Sequence, residues 1–296
     1  MRIAVTGASG LIGTALVPHL RRQGHDVLRL VRGAASAPDA VRWDPMGGTV
    51  DLRALEGIDA AVHLAGAGVG DHRWTDAYKA EIRDSRVRGT DTIARAMAGL
   101  ERRPSVLVSG SAIGFYGDTG DRAVDESAEA GTGFLADVVV AWEAAADPAR
   151  EAGIRVVHPR TGLVVAGRGG AWGRLWPIFK LGGGGRLGSG HQWWSFISLR
   201  DEVAALTFLL DHVAGPVNLT APTPATNAEV TTAMGRLLKR PTLLPVPAKA
   251  LELALGEFSS EVLGSARVLP NRLLEAGFVF QDPTIEQALA AALAAR

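Results

Sequence analysis

The chain is 296 residues long, with Lys+Arg and Asp+Glu equal at 31 each and a formal net charge of zero. That length accommodates one large or two modest domains with a substantial core, and the balanced charge argues against nucleic acid as a partner. With no cysteine, disulfides, thiolate nucleophiles and Cys-based metal sites are excluded, and no metal is expected.

The first residues enter an apolar strand at once, without the basic region and apolar core of a secretion signal. No run of about 18 apolar residues suits a membrane span, so a cytoplasmic protein without membrane contact is expected. Arg2–Thr6 reads as a short buried strand, Gly7, Gly10 and Gly13 follow at spacings of three, and Leu11–Leu20 open a helical pattern. Strand, glycine turn and helix in that order begin a dinucleotide-binding βαβ unit. Gly7 permits the tight turn, Gly10 lets backbone N–H groups approach a pyrophosphate, and Gly13 lets helix pack closely on strand. Ser9, Leu11 and Ile12 complete the loop, and the helix N-terminus adds a partial positive charge. In a chain with 36 glycines such a triplet arises by chance; its place between strand and helix gives it meaning.

Asp26–Val31 reads as the second strand, and Arg32 stands at its end, 19 residues after Gly13. A site for NAD places a carboxylate about here to accept from the ribose 2′-hydroxyl. A guanidinium suits a 2′-phosphate through its charge and fork geometry, so NADP(H) is the expected cofactor. The bland reading of Arg32 is a solvated surface arginine, and Arg29 is the competing candidate. Val41–Trp43 and Thr49–Asp51 are short extended pieces around a Pro45–Gly48 turn. Ala60–Leu64 is a further buried strand that runs into the small-residue loop Ala65–Gly68. Such a loop at a strand's carboxyl end lies where a doubly wound sheet binds its ligand, although tight helix packing explains it equally simply.

Asp76–Leu100 is helical, apolar at i, i+3, i+4 spacing in its second half. Val106–Ser109 is a strand ending in Ser109–Ala112, followed by Gly114–Gly117 and an acidic loop from Asp118 to Glu129. Phe134–Arg150 reads as one helix, and Arg155–Val157 as a strand leading into His158–Gly162. Strand and helix alternate throughout, which implies an α/β fold with a doubly wound parallel sheet. Leu64, Ala65 and Gly66, Ser109, and Arg160, Thr161 and Gly162 are the further expected cofactor contacts.

From Gly167 the composition shifts to glycine pairs among Trp172, Trp176, Trp193 and Trp194. A mobile glycine loop with aromatics forms a lid or substrate wall; packing between two subdomains is the alternative for any one Trp. Leu199–His212 reads as a helix, Val217–Leu219 as a strand, and Asn227–Leu238 as a helix capped by Thr226 or Asn227. Pro241–Pro247 is extended, and two helical stretches precede a final helix at Ile285–Ala295. Residues 1–166, with 199–220 returning to them, are expected to form the cofactor domain, and 167–296 mainly a smaller α/β substrate domain. The pattern carries no signal of oligomeric state.

The glycine motif, HLAG at His63–Gly66, SGSAIGFYG at Ser109–Gly117 and PRTG at Pro159–Gly162 resemble an extended short-chain dehydrogenase/reductase. RWTDAYK at Arg73–Lys79, DSR at Asp84–Arg86, WE at Trp142–Glu143 and LGSGHQWWSFISLRD at Leu187–Asp201 are similar to one atypical branch. So are NLTAPTPATNAE at Asn218–Glu229 and RVLPNRLLEAGFVF at Arg267–Phe280. That branch is the epimerase family protein group, related to sugar-nucleotide epimerases, and the resemblance spans essentially the whole chain.

The resemblance implies a Tyr-x-x-x-Lys pair, in which Tyr exchanges a proton with substrate and Lys lowers its pKa. This chain has no such pair, its only tyrosines being Tyr78 and Tyr116. Taking Glu143 as the Glu that follows the usual Lys puts Leu135 at the Tyr position and Val139 at the Lys position. The usual Asn falls near Arg86, and the Ser/Thr at Ala112, or at Ser111 if the strand end shifts by one. A substituted relay is therefore drawn from Ser111, Tyr116, Lys79 and Arg86. For Tyr116 the bland reading is packing under the cofactor. Lys79 and Arg86 share one helical face, where a solvated surface is the alternative to a phosphate contact. His191, Gln192 and Trp193 in the glycine-rich stretch are the expected substrate contacts. The expected activity is an NADP(H)-dependent, epimerase-like oxidoreductase acting on a small, nucleotide-linked molecule. The alternative is a non-catalytic NADP(H)-binding sensor.

Overall fold

The computed structural model describes residues 1–295. Its centre is a sheet that starts with β1 (Arg2–Thr6), flanked by β2 (Asp26–Val31) with Thr6 opposite Leu30. Ile3, Ala4 and Val5 are fully buried, as expected of a strand covered on both faces. β3 (Ala40–Asp44) continues the sheet in parallel, and β4 (Thr49–Val50) returns antiparallel at its edge. On the other side of β1 lie β5 (Ala60–His63), β6 (Val106–Ser109) with its short extension β7 (Ser111–Ala112), β9 (Arg155–Thr161) and β13 (Gly215–Leu219). The order is β13-β9-β6-β5-β1-β2-β3-β4, with β7 beside β9. The strand order reverses direction between β1 and β5, so the crevice at their carboxyl ends is where a ligand fits in such a sheet.

Helices cover both faces. α1 (Gly13–Arg22) begins two residues later than the sequence pattern, because residues 7–10 close a tight turn through Gly10 N donating to Gly7 O at 2.9 Å. The four-residue α2 (Leu52–Leu55) is capped by Asp51, and α3 (Asp76–Ala98) runs for 23 residues. The expected helix Phe134–Arg150 is two elements, α4 (Phe134–Ala144) and α5 (Asp147–Glu151). Pro148 is the reason: it lacks the N–H that a continuing helix needs, but suits the first turn of a new one. β9 extends four residues beyond the expected strand and includes Pro159. Its neighbour changes there from β6, which pairs up to Val157, to β7, which resumes at Arg160, so Pro159 meets no ladder partner on that side.

The minor strands form three two-stranded sheets outside the main one. β8 (Ala123–Val124) pairs with β15 (Arg267–Val268), β10 (Leu163–Val165) with β12 (Phe196–Ser198), and β11 (Trp193–Trp194) with β14 (Ala225–Thr226). The glycine- and Trp-rich stretch expected as a mobile loop contains α6 (Gly170–Lys180). Trp172 and Trp176 are fully buried, packed with Phe196, Met234 and Leu289 into a core separate from those of the main sheet. Burial of two indoles outweighs the weak helix propensity of the glycines. α7 (Leu199–Phe208) lies against α1, and β13 completes the main sheet. The remaining helices are α8 (Asn227–Leu238), α9 (Ala248–Leu255), α10 (Ser259–Leu263), α11 (Asn271–Glu275) and α12 (Ile285–Ala294). Among the described residues no helix is long and apolar enough to cross a membrane, and no group of three His, Asp or Glu side chains could hold a metal.

Candidate functional site

The carboxyl ends of β1 and β5 form a cradle made of backbone. Gly7 adopts φ +66°, and a Cβ there would lie 2.7 Å from the carbonyl carbon of Leu64. Only glycine fits that conformation and that approach together. A Cβ on Gly13 would overlap the Gly7 carbonyl oxygen, so helix and strand meet at a distance no side chain allows. Ser9 and Gly10 are exposed, Leu11 and Ile12 half-buried, and α1 starts with no side-chain cap. Thr14 N donates to Gly10 O and Ala15 N to Ile12 O, both at 3.0 Å, so it is the N–H groups of Leu11, Ile12 and Gly13 that are left for an anion.

Thr6 holds the opposite wall in place. Its Oγ1 accepts from Leu64 N at 3.0 Å and Ala65 N at 3.2 Å, and lies 2.7 Å from His63 Nδ1. Both lone pairs of the hydroxyl are thus used, so its proton goes to Nδ1 and His63 carries its own proton on Nε2. Complete burial lowers the His63 pKa to about 4, which keeps the ring neutral. Further along this edge Ser109 Oγ is buried with no protein partner.

At the end of β2, Arg29 and Arg32 have separated fates. Arg29 donates twice to Asp39 at 2.7 Å, whereas Arg32 is exposed and pairs with no other described residue. A free guanidinium at this place can meet a phosphate on the adenosine ribose. The backbone cradle, the uncapped helix end, the orphaned Ser109 hydroxyl and Arg32 together fit a phosphorylated dinucleotide.

The ends of β7 and β9 carry a buried polar network. Arg160 Nε and Nη2 donate to Glu143 at 2.8 and 2.9 Å, and Arg160 Nη1 donates to Tyr116 OH at 3.0 Å. Ser111 Oγ donates to Glu143 Oε1 at 2.6 Å, and Tyr116 OH donates to Asn218 Oδ1 at 2.7 Å. The guanidinium also stacks on Phe115, 3.4 Å from the ring centre. Burial alone would raise the Glu143 carboxyl, but the bonds from Arg160 and Ser111 hold it below its ordinary value. Burial pushes the Tyr116 hydroxyl up. Beside this network Thr161 Oγ1 donates to the fully buried Glu202 at 2.9 Å. A Cβ on Gly162 would sit 2.6 Å from Ser195 O.

The structure thus brings Ser111, Tyr116 and Arg160 together, but it directs the Arg160 and Thr161 side chains to internal carboxylates. Neither side chain is thereby left free for a ligand. Burying a guanidinium on β9 requires a carboxylate, and Glu143 supplies it. Lys79 stands apart. It lies about 10 Å along α3 from Arg86, bonds Glu257 at 2.7 Å and covers Phe134. Arg86 lies at the cleft, donating through Nη1 to Ala67 O at 2.9 Å and Ile82 O at 3.0 Å. Leu135 and Val139 form an apolar wall facing Gly114, and neither can move a proton.

The substrate candidates are also divided. Gln192 is buried, donating to Leu187 O at 3.0 Å, and Trp193 Nε1 donates to Asp121 while Arg267 covers its ring. His191 is exposed. Four residues of the site were missed from the sequence: Thr6, Trp142, Asn218 and Glu202. Trp142 carried a signal in the WE pair with Glu143, and Asn218 one at the start of the NLTAPTPATNAE stretch; Thr6 and Glu202 carried none.

Residues 3–220 match the model of the NAD dependent epimerase/dehydratase family, and 246–292 that of a domain of unknown function, DUF1731. An epimerase family protein of Mycobacterium tuberculosis is 47% identical over 290 residues, covering 97% of this chain and 96% of that one. The crystal structure of human epimerase family protein SDR39U1 (isoform 2) with NADPH superposes with TM-score 0.91 at 32% identity, over 99% of both chains. A nucleoside-diphosphate sugar epimerase structure from Corynebacterium glutamicum matches with TM-score 0.80 at 35% identity, over 99% of this chain and 58% of that one.

Proposed function

Because the chain belongs to the NAD-dependent epimerase/dehydratase family, we propose that it binds NADP(H) and is an epimerase-like oxidoreductase acting on a small molecule. One observation carries the cofactor reading. The only arginine free at the end of β2 is Arg32, since Arg29 is held by Asp39. The SDR39U1 structure with NADPH supports it. Gly7, Ser9, Gly10, Leu11, Ile12 and Gly13 would hold the pyrophosphate by backbone N–H groups, and Leu64, Ala65, Gly66 and Ser109 would line the ribose side.

A bound nicotinamide supplies the hydride donor or acceptor. The chain's own contribution is positioning and electrostatics. Ser111 spends its proton on Glu143, so toward a substrate hydroxyl its oxygen would act as an acceptor. Arg160 keeps Glu143 ionised and fixes Tyr116, whose proton is directed at Asn218. Leu135 and Val139 exclude water from the face where a proton-transferring Tyr and Lys would stand. A site of this kind favours reactions that need a held carbonyl more than repeated proton exchange. Nucleotide-linked substrates are the first class to test, given the family.

The same apolar wall favours the second reading, a non-catalytic NADP(H) sensor. Incubating the NADP-loaded protein with a metabolite panel and following reduced-nicotinamide absorbance separates the two. Turnover establishes the enzyme; no turnover, with a partner recovered only in the loaded state, establishes the sensor. For the cofactor itself, Arg32→Ala should weaken NADPH about tenfold, the worth of one charge-assisted phosphate contact, and leave NADH unchanged. Equal NADPH affinity in mutant and wild type would sink the role of Arg32.

A further inference from the structure

We propose that Arg86 is an anion-receiving residue, its guanidinium set behind the Ala65–Gly68 loop to bind a phosphate or carboxylate oxygen of a ligand. This goes a step beyond the cofactor reading and rests on it only for where the ligand lies.

Arg86 occupies the middle of α3, and its guanidinium carbon stands 5.1 Å from the ring centre of Trp142 on α4. On its other side Gly66 comes so near that a Cβ there would lie 3.4 Å from the guanidinium carbon. The cation is thus pressed between an indole and a backbone loop at the carboxyl end of β5. Among the described residues its hydrogen bonds are from Nη1 alone, to the carbonyls of Ala67 and Ile82. Nε and Nη2 donate to no protein acceptor, and neither is sealed in by protein. No carboxylate of the described residues pairs with it, unlike Arg160, whose burial is matched by Glu143. Desolvation lowers the Arg86 pKa to about 10, which leaves it charged at neutral pH.

A half-buried cation without a carboxylate counterion is incompletely compensated, since an indole face recovers only part of the desolvation cost. The indole N–H of Trp142 beneath it is buried without an acceptor as well. An arrangement that spends stability on an unpaired fork is completed by an oxyanion, for which two free guanidinium nitrogens form a ready donor pair. Ser85 is a second tie to the loop beside Arg86. Its Oγ already accepts from Ala67 N at 3.0 Å and ties the loop to α3.

Two sources share this chemistry: the phosphates of the cofactor, and an anionic group on the substrate. Inorganic phosphate is titrated into the ligand-free and the NADPH-loaded protein, following tryptophan fluorescence, for wild type, Arg86→Gln and Arg86→Lys. NADPH affinity and melting midpoint are measured for all three. Arg86→Gln should lose about tenfold or more of one affinity, with the midpoint close to wild type, and Arg86→Lys should retain part of it. A loss confined to phosphate on the loaded protein assigns a substrate anion. A loss of NADPH affinity, with phosphate competing against NADPH, assigns the cofactor. Unchanged affinities in Arg86→Gln overturn the proposal and leave Arg86 a tie to the loop. If Arg86→Gln does not fold, nitrogen-labelled arginine in the wild type decides. The Arg86 Nε–H signal, assigned by its loss in Arg86→Lys, should shift with one of the probes, and no shift with either overturns the proposal. A wild type that ignores NADPH altogether defeats the cofactor reading alone, because phosphate on the ligand-free protein still tests Arg86.

Discussion

Glu202 lies on α7 without accessible surface, its Oε1 accepting from Thr161 and its Oε2 without a partner. Burial with no cation nearby pushes its pKa up to about 8 from an ordinary 4.5. Below pH 4.5 folded and unfolded chains both hold this proton. Between about pH 4.5 and 8 only the folded chain does, so stability falls as pH rises, by a few kcal/mol in all. Glu202→Gln keeps the acceptor and removes the titration. Urea unfolding should find it near wild type at pH 5 and more stable than wild type at pH 8; equal differences at both values would refute the assignment. None of this was legible in the sequence, where Glu202 is one acid in the first turn of the expected helix Leu199–His212. Arg32 was legible, because a fixed interval from Gly13 places it at the end of β2. What the sequence left open was Arg29, and in the structure it is bonded by Asp39 in the turn that precedes β3.

At the scale of elements, the strand–turn–helix from Arg2 to Arg22 was readable because each glycine answers a local demand. Gly13 is the strictest. Gly13→Ala would drive its Cβ into the Gly7 carbonyl, costing about 1–3 kcal/mol of stability and shifting the loop proposed to receive the pyrophosphate. Calorimetry should show NADPH affinity reduced at least tenfold; wild-type affinity with wild-type stability would mean the contact is more yielding than its geometry. Thr226 was also readable, as it forms a capping box with Glu229 at the start of α8. α6 was not. Its glycines signal a loop, and the burial of Trp172 and Trp176 that holds it helical comes from α8 and α12, far along the chain. The restart at Asp147 had a visible cause in Pro148, which periodicity alone passes over.

At the scale of the molecule, the last segment is tied to the sheet through α7. The buried carboxylate of Asp201 accepts from Gln281 N and Asp282 N, both at 2.9 Å, and Asp282 in turn pairs with Arg200. Asp201→Ala would strand two amides and should cost roughly 2–5 kcal/mol, read as a lower denaturant midpoint; a change under about 0.5 kcal/mol would show that water replaces the carboxylate. The parallel sheet and its ligand crevice were determined by the sequence itself, since alternation of buried strands with helices leaves few ways to cover both faces of a sheet. The glycine loop and Arg32 were determined with them, being set by short-range spacing. The Arg160–Glu143–Ser111–Tyr116 network, the neutral Glu202 and the unpaired Arg86 were decided only by the tertiary structure. Whether a charge is paired depends on side chains brought together from separate strands and helices, and no local pattern records which ones meet.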